Sequence, residues 1–324
     1  MPYLTVDDFV EAYAKLRQRG LPFLASKLSW DARERTRSAF DDVTLEAANW
    51  WAVPEVRRRW NRLITGKPDL EYEPYFMEKY LSGQTGLRLL SLGSGICSHE
   101  IKLAQSKHFA EATCVDIAGN LLREAARKAA QLGLDNMVFR EADLYRTDFE
   151  SESYDVVFFH ASLHHFAEVE QMLIHKVRPV LRPGGLIVIN EYVGPNRLQY
   201  PKYQIAAINE ALQLLPKRYR LRFKTRAVKQ KVQGPGLWRM ILADPSECVD
   251  SESILPALHR HFRTLEEKPY GGNLLMLTLK DIAHHFVQPD GQALKVLHDL
   301  FAAEDRYLQQ HPSDFTFGVY QHPG

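Results

Sequence analysis

Leu89-Leu-Ser-Leu-Gly93-Ser-Gly95-Ile-Cys-Ser98 decides how the rest of the chain is read. It is an apolar strand running into a glycine turn that opens a helix. Glycine reaches backbone conformations closed to other residues, and its bare Cα lets a ligand lie against the main chain. The turn falls at the carboxyl edge of a first strand, the place where open α/β sheets bind ligands. Two glycines alone also suit any tight strand–helix turn, so the surrounding sequence has to discriminate.

Outward from this stretch, short apolar runs alternate with helix-length segments. Strands are expected at 87–92, 112–117, 137–141, 154–160 and 186–192, and helices at 100–107, 120–132 and 167–181, with a turn at Arg182-Pro-Gly-Gly185. YDVVFF and GLIVIN are continuously apolar, as strands covered on both faces should be. This alternation predicts a mostly parallel, doubly wound α/β sheet with helices on both sides.

The flanks differ. Asp7 or Asp8 caps a first helix through Phe9, Val10, Tyr13, Ala14 and Leu16, ended by Gly20, and a second helix spans about 44–63. Tyr72-Glu-Pro-Tyr75-Phe76 is an aromatic cluster at a helix start. After Gly194-Pro195, residues 196–245 read as helical insertions and 247–261 as a helix leading to a strand at 262–270. Helices at 274–286 and 292–310 and a terminal, antiparallel strand at 314–321 complete the chain. Four segments follow: a helical cap at 1–80, a ligand-binding core at 81–195, a helical insertion forming an acceptor lid at 196–260, and the completion of the core at 261–324.

The 324 residues are 45% hydrophobic and 25% charged, an ordinary globular balance that excludes wholesale disorder. With Lys+Arg 41 against Asp+Glu 40, a uniformly basic nucleic-acid binder is excluded. No stretch reaches the ~20 apolar residues of a membrane span. Cys97, Cys114 and Cys248 form no CxxC pair, which suits a reducing cytoplasm. Oligomeric state is not legible.

Two acids sharpen the site. Asp116 ends the second strand, 23 residues after Gly93, where a carboxylate can accept both hydroxyls of a ribose. Asp143, in Glu-Ala-Asp-Leu after the third strand, can border an adenine ring. A dinucleotide fingerprint needs a third glycine where Ser98 stands, so a nicotinamide-dependent oxidoreductase is the weaker reading.

In order, LLSLGSGIC, VDIAGNLL, EADL, YDVVFFHASLHHF and LRPGGLIVINEY resemble the motifs of the class I S-adenosylmethionine-dependent methyltransferases of the small-molecule type, over roughly residues 72–195. The resemblance implies a Rossmann-like seven-stranded sheet and S-adenosylmethionine as cofactor. It also implies Gly93, Ser94 and Gly95 at the methionine moiety, Asp116 and Ile117 at ribose and adenine, Ala142, Asp143 and Leu144 at the base, and His160 from the fourth strand. Two positions depart from it. Ser91 stands where an acid is usual, and Cys97 replaces a third glycine.

Methyl transfer to a hydroxyl benefits from a positioned base. His164, just past the fourth strand, is the candidate, since imidazole titrates near neutral pH; it also suits a helix cap. Glu191, near the end of the fifth strand, is the second catalytic candidate, or else an anchor for a loop. A zinc reading of His160, His164 and His165 fails because their spacing binds metal only on one helix, so no metal is expected.

Tyr75, Tyr192, Arg197, Tyr200 and Arg220 are the expected acceptor-binding residues. Lys217–Lys231 carries eight basic residues and no acidic one, which suggests a small, anionic, phosphate-bearing acceptor such as a sugar, lipid or prenyl metabolite. No nucleic-acid partner is expected. A non-catalytic protein that only binds the cofactor is the remaining alternative.

Overall fold

The computed structural model describes residues 3–9, 49–223, 225 and 227–324. Contacts divide the chain into two compact units. The first comprises Met1–Trp60, Gly194–Glu247 and Pro269–Phe315; the second comprises Asn61–Val193, Cys248–Lys268 and Thr316–Gly324.

In chain order the elements are α1 (Pro54–Thr65), α2 (Tyr72–Tyr80), β1 (Leu87–Leu92), α3 (Ser98–Ala104), β2 (Phe109–Asp116), α4 (Gly119–Gln131), β3 (Met137–Glu141) and β4 (Tyr154–His160). There follow α5 (Val169–Met172), β5 (Leu181–Tyr192), α6 (Lys202–Gln213), α7 (Leu237–Ala243), α8 (Ile254–His261), β6 (Arg263–Gly271), α9 (Leu275–Leu279), α10 (Gly291–Leu308) and β7 (Phe315–Gln321).

The seven strands form one sheet in the order β3-β2-β1-β4-β5-β7-β6. Strands β1 to β5 pair in parallel, with Leu89 opposite Ala112 on one side and Val156 on the other. His322 N–H donates to Gly185 O and the Gln321 side chain to Gly184 O, so the end of β7 meets the start of β5 and runs against it. From β1 the chain first builds outward through β2 and β3, then returns to place β4 on the opposite side. That reversal opens a crevice at the carboxyl ends of β1 and β4.

Alternation along the central strands builds the core of the second unit. Leu90, Leu92, Val157, Phe159, Ile187 and Ile189 point to one face and pack on Val169, Leu173, Val177, Ile254 and Leu258. Each such side chain contributes about 1.5–3 kcal/mol on burial. On the other face Cys114 meets Cys97, Leu122 and Ala125, which seats α4 against the sheet. The first unit has its own core, with Trp50, Val53 and Val56 against Ile208, Leu212, Leu275, Phe286 and Leu297. Within it Asp290 caps α10 by accepting from Ala293 N at 2.7 Å.

Most expected strands stand within one to three residues of their positions, and several helical boundaries are corrected. The helix expected at 44–63 lies partly outside the described residues; its described part is a 3₁₀ turn at Trp50–Ala52, after which Pro54 opens α1. At the N-terminus Thr5, not Asp7 or Asp8, takes the capping position: Thr5 N donates to Asp8 at 2.7 Å and Asp8 N to Thr5 Oγ1 at 3.4 Å. The rest of that expected helix lies outside the described residues. Segment 167–181 is helical from Val169, passing through a π turn at Leu173–Val177 and a 3₁₀ turn at Arg178–Val180. The helix expected at 247–261 begins only at Ile254, and the one at 274–286 is broken into α9 and a 3₁₀ turn at Ala283–Phe286.

The Arg182–Gly185 turn lies inside β5. Tyr154 pairs with Leu181 and Val156 with Leu186, so residues 182–185 bulge out between two paired stretches of one strand. The chain has no described helix long and apolar enough to cross a membrane.

Candidate functional site

The turn after β1 needs its glycines for different reasons. Gly93 (φ +74°) is fixed by its N–H donating to Val115 O at 2.8 Å, and a Cβ there would meet Ser162 Cβ at 2.8 Å. Gly95 (φ +53°) has nothing within 4 Å of that position. One glycine permits a close approach and the other leaves open space over the main chain. Cys97 follows in the left-handed region (φ 55°) and opens α3.

Asp116 is tied to this turn. Its Oδ2 accepts from Gly95 N at 2.8 Å and its Oδ1 from Ala118 N at 2.7 Å. The two amides fix the carboxylate plane, while each oxygen retains acceptor capacity. Ile117, half-buried, follows directly. Ala142 N donates to Asp116 O at 3.0 Å, which draws the Ala142–Leu144 segment to the same sheet edge. Asp143 accepts from Tyr145 N at 3.1 Å and pairs with Arg146 at 3.7 Å.

Beneath the turn lies an acid that the sequence reading missed. Ser91 Oγ donates to Glu100 Oε1 at 2.6 Å, and both residues are buried. Burial pushes the Glu100 carboxyl up, against the Ser91 hydrogen bond and the neighbouring His99. The position usually held by an acid thus has one within hydrogen-bond reach, supplied nine residues later from α3. An acid in the first turn of the helix after a glycine loop was the available signal.

His160, at the end of β4, is part of a ring stack. Tyr72 Oη lies 2.8 Å from its Nδ1, and the His99 ring stacks on it with centroids 3.5 Å apart. Burial first, then the nearby His99 and Lys102, hold the His160 imidazole well below its usual range, so it is neutral at physiological pH. His99 in turn reaches Glu73 Oε1 at 2.6 Å. Burial works to raise the Glu73 carboxyl, but His99 and Lys102 outweigh it and the group is lowered.

His164 and Glu191 form a pair. His164 Nδ1 lies 2.7 Å from Glu191 Oε2, while Oε1 accepts from Ser162 N at 2.6 Å and Leu163 N at 2.8 Å. Glu191 is fully buried. A carboxylate only accepts, so it holds the proton of a neutral His164 on Nδ1 and leaves Nε2 as the basic nitrogen. Ser162 completes the link, its Oγ donating to Leu92 O at 2.8 Å. The loop bearing His164 is therefore bonded at once to the end of β1, beside the glycine turn, and to β5.

The expected acceptor residues are distributed. Tyr192 stands at the end of β5 with its ring edge-on to His164, centroids 6.4 Å apart. Tyr75, on α2, gives its hydroxyl to Glu266 at 2.8 Å. Arg197, Tyr200 and Arg220 belong to the first unit. There Arg197 donates to Pro245 O, Tyr200 packs on the unit's core and Arg220 donates to Gln213 at 2.9 Å.

The basic run is not one solvated helix face. Lys217–Arg220 is a 3₁₀ turn, and a bridge between Leu221 and Val228 closes a hairpin. Within it Arg222 pairs with Asp281 and Asp7. Lys229 is buried, its Nζ donating to Leu277 O (2.6 Å), Thr278 O (3.2 Å) and Lys280 O (2.7 Å), and burial lowers its pKa to about 7.

A family model for a methyltransferase domain matches residues 89–185. A demethylmenaquinone methyltransferase of Thermus thermophilus is 31% identical over 135 residues, 42% of this chain and 60% of that protein. An uncharacterised methyltransferase of Bacillus subtilis, YcgJ, is 24% identical over 105 residues, 32% of this chain and 41% of that one. The chain thus spans less than two thirds of the length of the curated relatives it matches. Among solved structures, phosphoethanolamine N-methyltransferase 2 of Haemonchus contortus, with S-adenosylmethionine, overlaps with a TM-score of 0.49 at 15% identity, covering 78% of this chain and 52% of that one. The matched residues run from β1 into the bulge of β5 and enclose the glycine turn, Asp116, Asp143 and the His164 loop. Over residues 89–185 the chain thus carries the pattern of a methyltransferase domain and is similar to the S-adenosylmethionine-dependent methyltransferases.

Proposed function

We propose that this chain is a methyltransferase that binds S-adenosylmethionine at the glycine turn and methylates a small-molecule acceptor, with His164 as base. One observation carries the reading: a single loop joins Leu92, beside the glycine turn, to the His164–Glu191 pair through Ser162. Such a loop couples donor binding to the placement of the base.

The residues fit the donor. The open space over Gly95 accommodates a ligand against the main chain, and the Asp116 carboxylate, fixed by two amides, can accept ribose hydroxyls. Gly93, Ser94 and Gly95 would hold the methionine portion, Asp116 and Ile117 the ribose, and Ala142, Asp143 and Leu144 the base, with His160 bordering from β4. When bound, the cofactor supplies a sulfonium methyl group that needs only an aligned nucleophile. His164 Nε2 takes the proton from the acceptor, and Glu191 stabilises the resulting imidazolium. Glu191 acts through His164 and is a positioning residue. His160, kept neutral, avoids placing a second positive charge beside a cationic donor.

Within the second unit, acceptor selection is assigned to Tyr75 and Tyr192, the latter edge-on to His164. Arg197, Tyr200 and Arg220, expected to meet an anionic acceptor, are engaged within the first unit by Pro245 O, the unit's core and Gln213, as Arg222 and Lys229 are by their own partners. The relative named for demethylmenaquinone supports a small molecule over a macromolecule.

Calorimetric titration tests the donor site: S-adenosylhomocysteine should bind and NAD should not. Transfer of labelled methyl from the donor into the small-molecule fraction of a cell extract tests catalysis. Label transferred by the wild type and lost in His164→Ala supports the proposal; cofactor binding without any transfer would leave a binding protein instead.

A further inference from the structure

The loop that carries His164 is strained at both ends. Ala161 (φ 48°) and Glu168 (φ 51°) occupy the left-handed region without being glycines, a conformation that persists only where surrounding contacts enforce it. At the start of the loop Ala161 N donates to Asn190 O at 2.9 Å, and Ser162 is bonded to Leu92. At its end the hold comes from elsewhere. Tyr145 Oη accepts from Ala167 N at 2.7 Å and donates to Ala167 O at 3.4 Å, so one hydroxyl spends both capacities on the backbone of a single residue. Just beyond, Val169 N donates to Asp250 Oδ2 at 2.9 Å.

Tyr145 belongs to the turn after β3. Its N–H donates to Asp143 Oδ1 at 3.1 Å. Asp143 O accepts from Arg146 N at 3.0 Å and from Thr147 Oγ1 at 2.9 Å, which fastens residues 143–147 as one turn. The Tyr145 ring is half exposed, yet it lies 5.9 Å from the ring of Phe166, which meets Phe159 edge-on in the core of the second unit. Residues 163–165 form a 3₁₀ turn, closed by Phe166 N donating to Leu163 O at 3.1 Å. A shift at Ala167 therefore reaches His164 through a short, hydrogen-bonded segment.

We propose that Tyr145 is a positioning residue for methyl transfer: it clasps the turn expected to border the adenine to the loop bearing the base, so that occupation of the donor site sets His164. The inference rests on the methyl-donor reading above. It adds a tie from the adenine side to the one that Ser162 makes beside the glycine turn. Packed side chains and hydrogen bonds carry coupling between sites, and here they run from Asp143 through Tyr145, Ala167 and Phe166 to His164.

Two variants test it. Tyr145→Phe keeps the ring against Phe166 and deletes only the hydroxyl. Asp250→Ala loosens the same end of the loop without touching the turn after β3. NMR of the full chain with labelled histidine follows the His164 imidazole, assigned by its loss in His164→Ala, as S-adenosylhomocysteine is added. In the wild type the signal should move on saturation. Tyr145→Phe should still bind S-adenosylhomocysteine and melt with the wild type, while that movement shrinks at least about fivefold, the lower end of common coupling factors. In Asp250→Ala the movement should persist. A wild-type signal indifferent to S-adenosylhomocysteine, an undiminished response in Tyr145→Phe, an equal loss in Asp250→Ala, or a clearly lower melting temperature for Tyr145→Phe would overturn the clasp. Absence of S-adenosylhomocysteine binding by the wild type would remove the donor reading itself, and the inference with it.

Discussion

Glu191 grips His164 and its loop together: one carboxylate oxygen lies 2.7 Å from Nδ1, and the other takes the amides of Ser162 and Leu163. Glu191→Gln cannot serve both sides. With its carbonyl on the amides, its NH₂ faces Nδ1, and His164 must move its proton to Nε2 and lose basicity there. Once an acceptor is in hand, kcat should fall about 100-fold or more with little change in KM, as for loss of a general base. His164→Ala should fall similarly, and the double variant no further. An additive double variant would separate the two residues.

Asp116 has two duties that one substitution removes. Asp116→Ala leaves the amides of Gly95 and Ala118 without their partner and deletes the ribose acceptor. Calorimetry should show S-adenosylhomocysteine binding weakened by at least about tenfold, the scale of one charge-assisted hydrogen bond. Unchanged affinity would place the nucleoside elsewhere.

The two glycines separate stability from binding. Gly93→Ala drives a methyl group into Ser162 and strains a positive φ, so it should lower the melting temperature and, by moving the His164 loop, also depress kcat. Gly95→Ala has space for its methyl and carries only the backbone strain of about 1 kcal/mol. It should melt near the wild type yet bind S-adenosylhomocysteine more weakly, because that space is the proposed donor cradle. Equal binding losses accompanied by equal melting shifts would contradict this division.

What was legible in the sequence was what is encoded locally. Strand, glycine turn, helix and the acid at the next strand's end follow one another within a few residues. The sequence also singled out His164 and Glu191, each by its strand end. Their pairing was not readable, because it depends on the β4–β5 register, set by a bulge at Arg182–Gly185 that reads as a plain turn. The Ser91–Glu100 bond was missed for a related reason: the two residues meet only when α3 folds back over β1. The basic run misled through composition, which cannot tell an ammonium facing water from Lys229, enclosed by three carbonyls. Nor does composition reveal that segments as distant as 49–60, 194–247 and 269–315 share one core.

In that first unit, Asp314 gives a pH signature separable from catalysis. It is buried, accepting from Gln204 Nε2 at 2.6 Å. Burial raises its pKa to about 7; the Gln204 hydrogen bond opposes this and the nearby Glu304 adds to it. The folded state therefore keeps a proton that the unfolded chain releases near pH 4, and stability falls as the pH rises from about 4 to about 7. At most about 4 kcal/mol is at stake, by the usual 1.36 kcal/mol per unit. Asp314→Asn retains a carbonyl for Gln204 and carries no charge. It should melt with the wild type near pH 4 and above it at pH 8, and a melting difference that does not change with pH would refute the assignment.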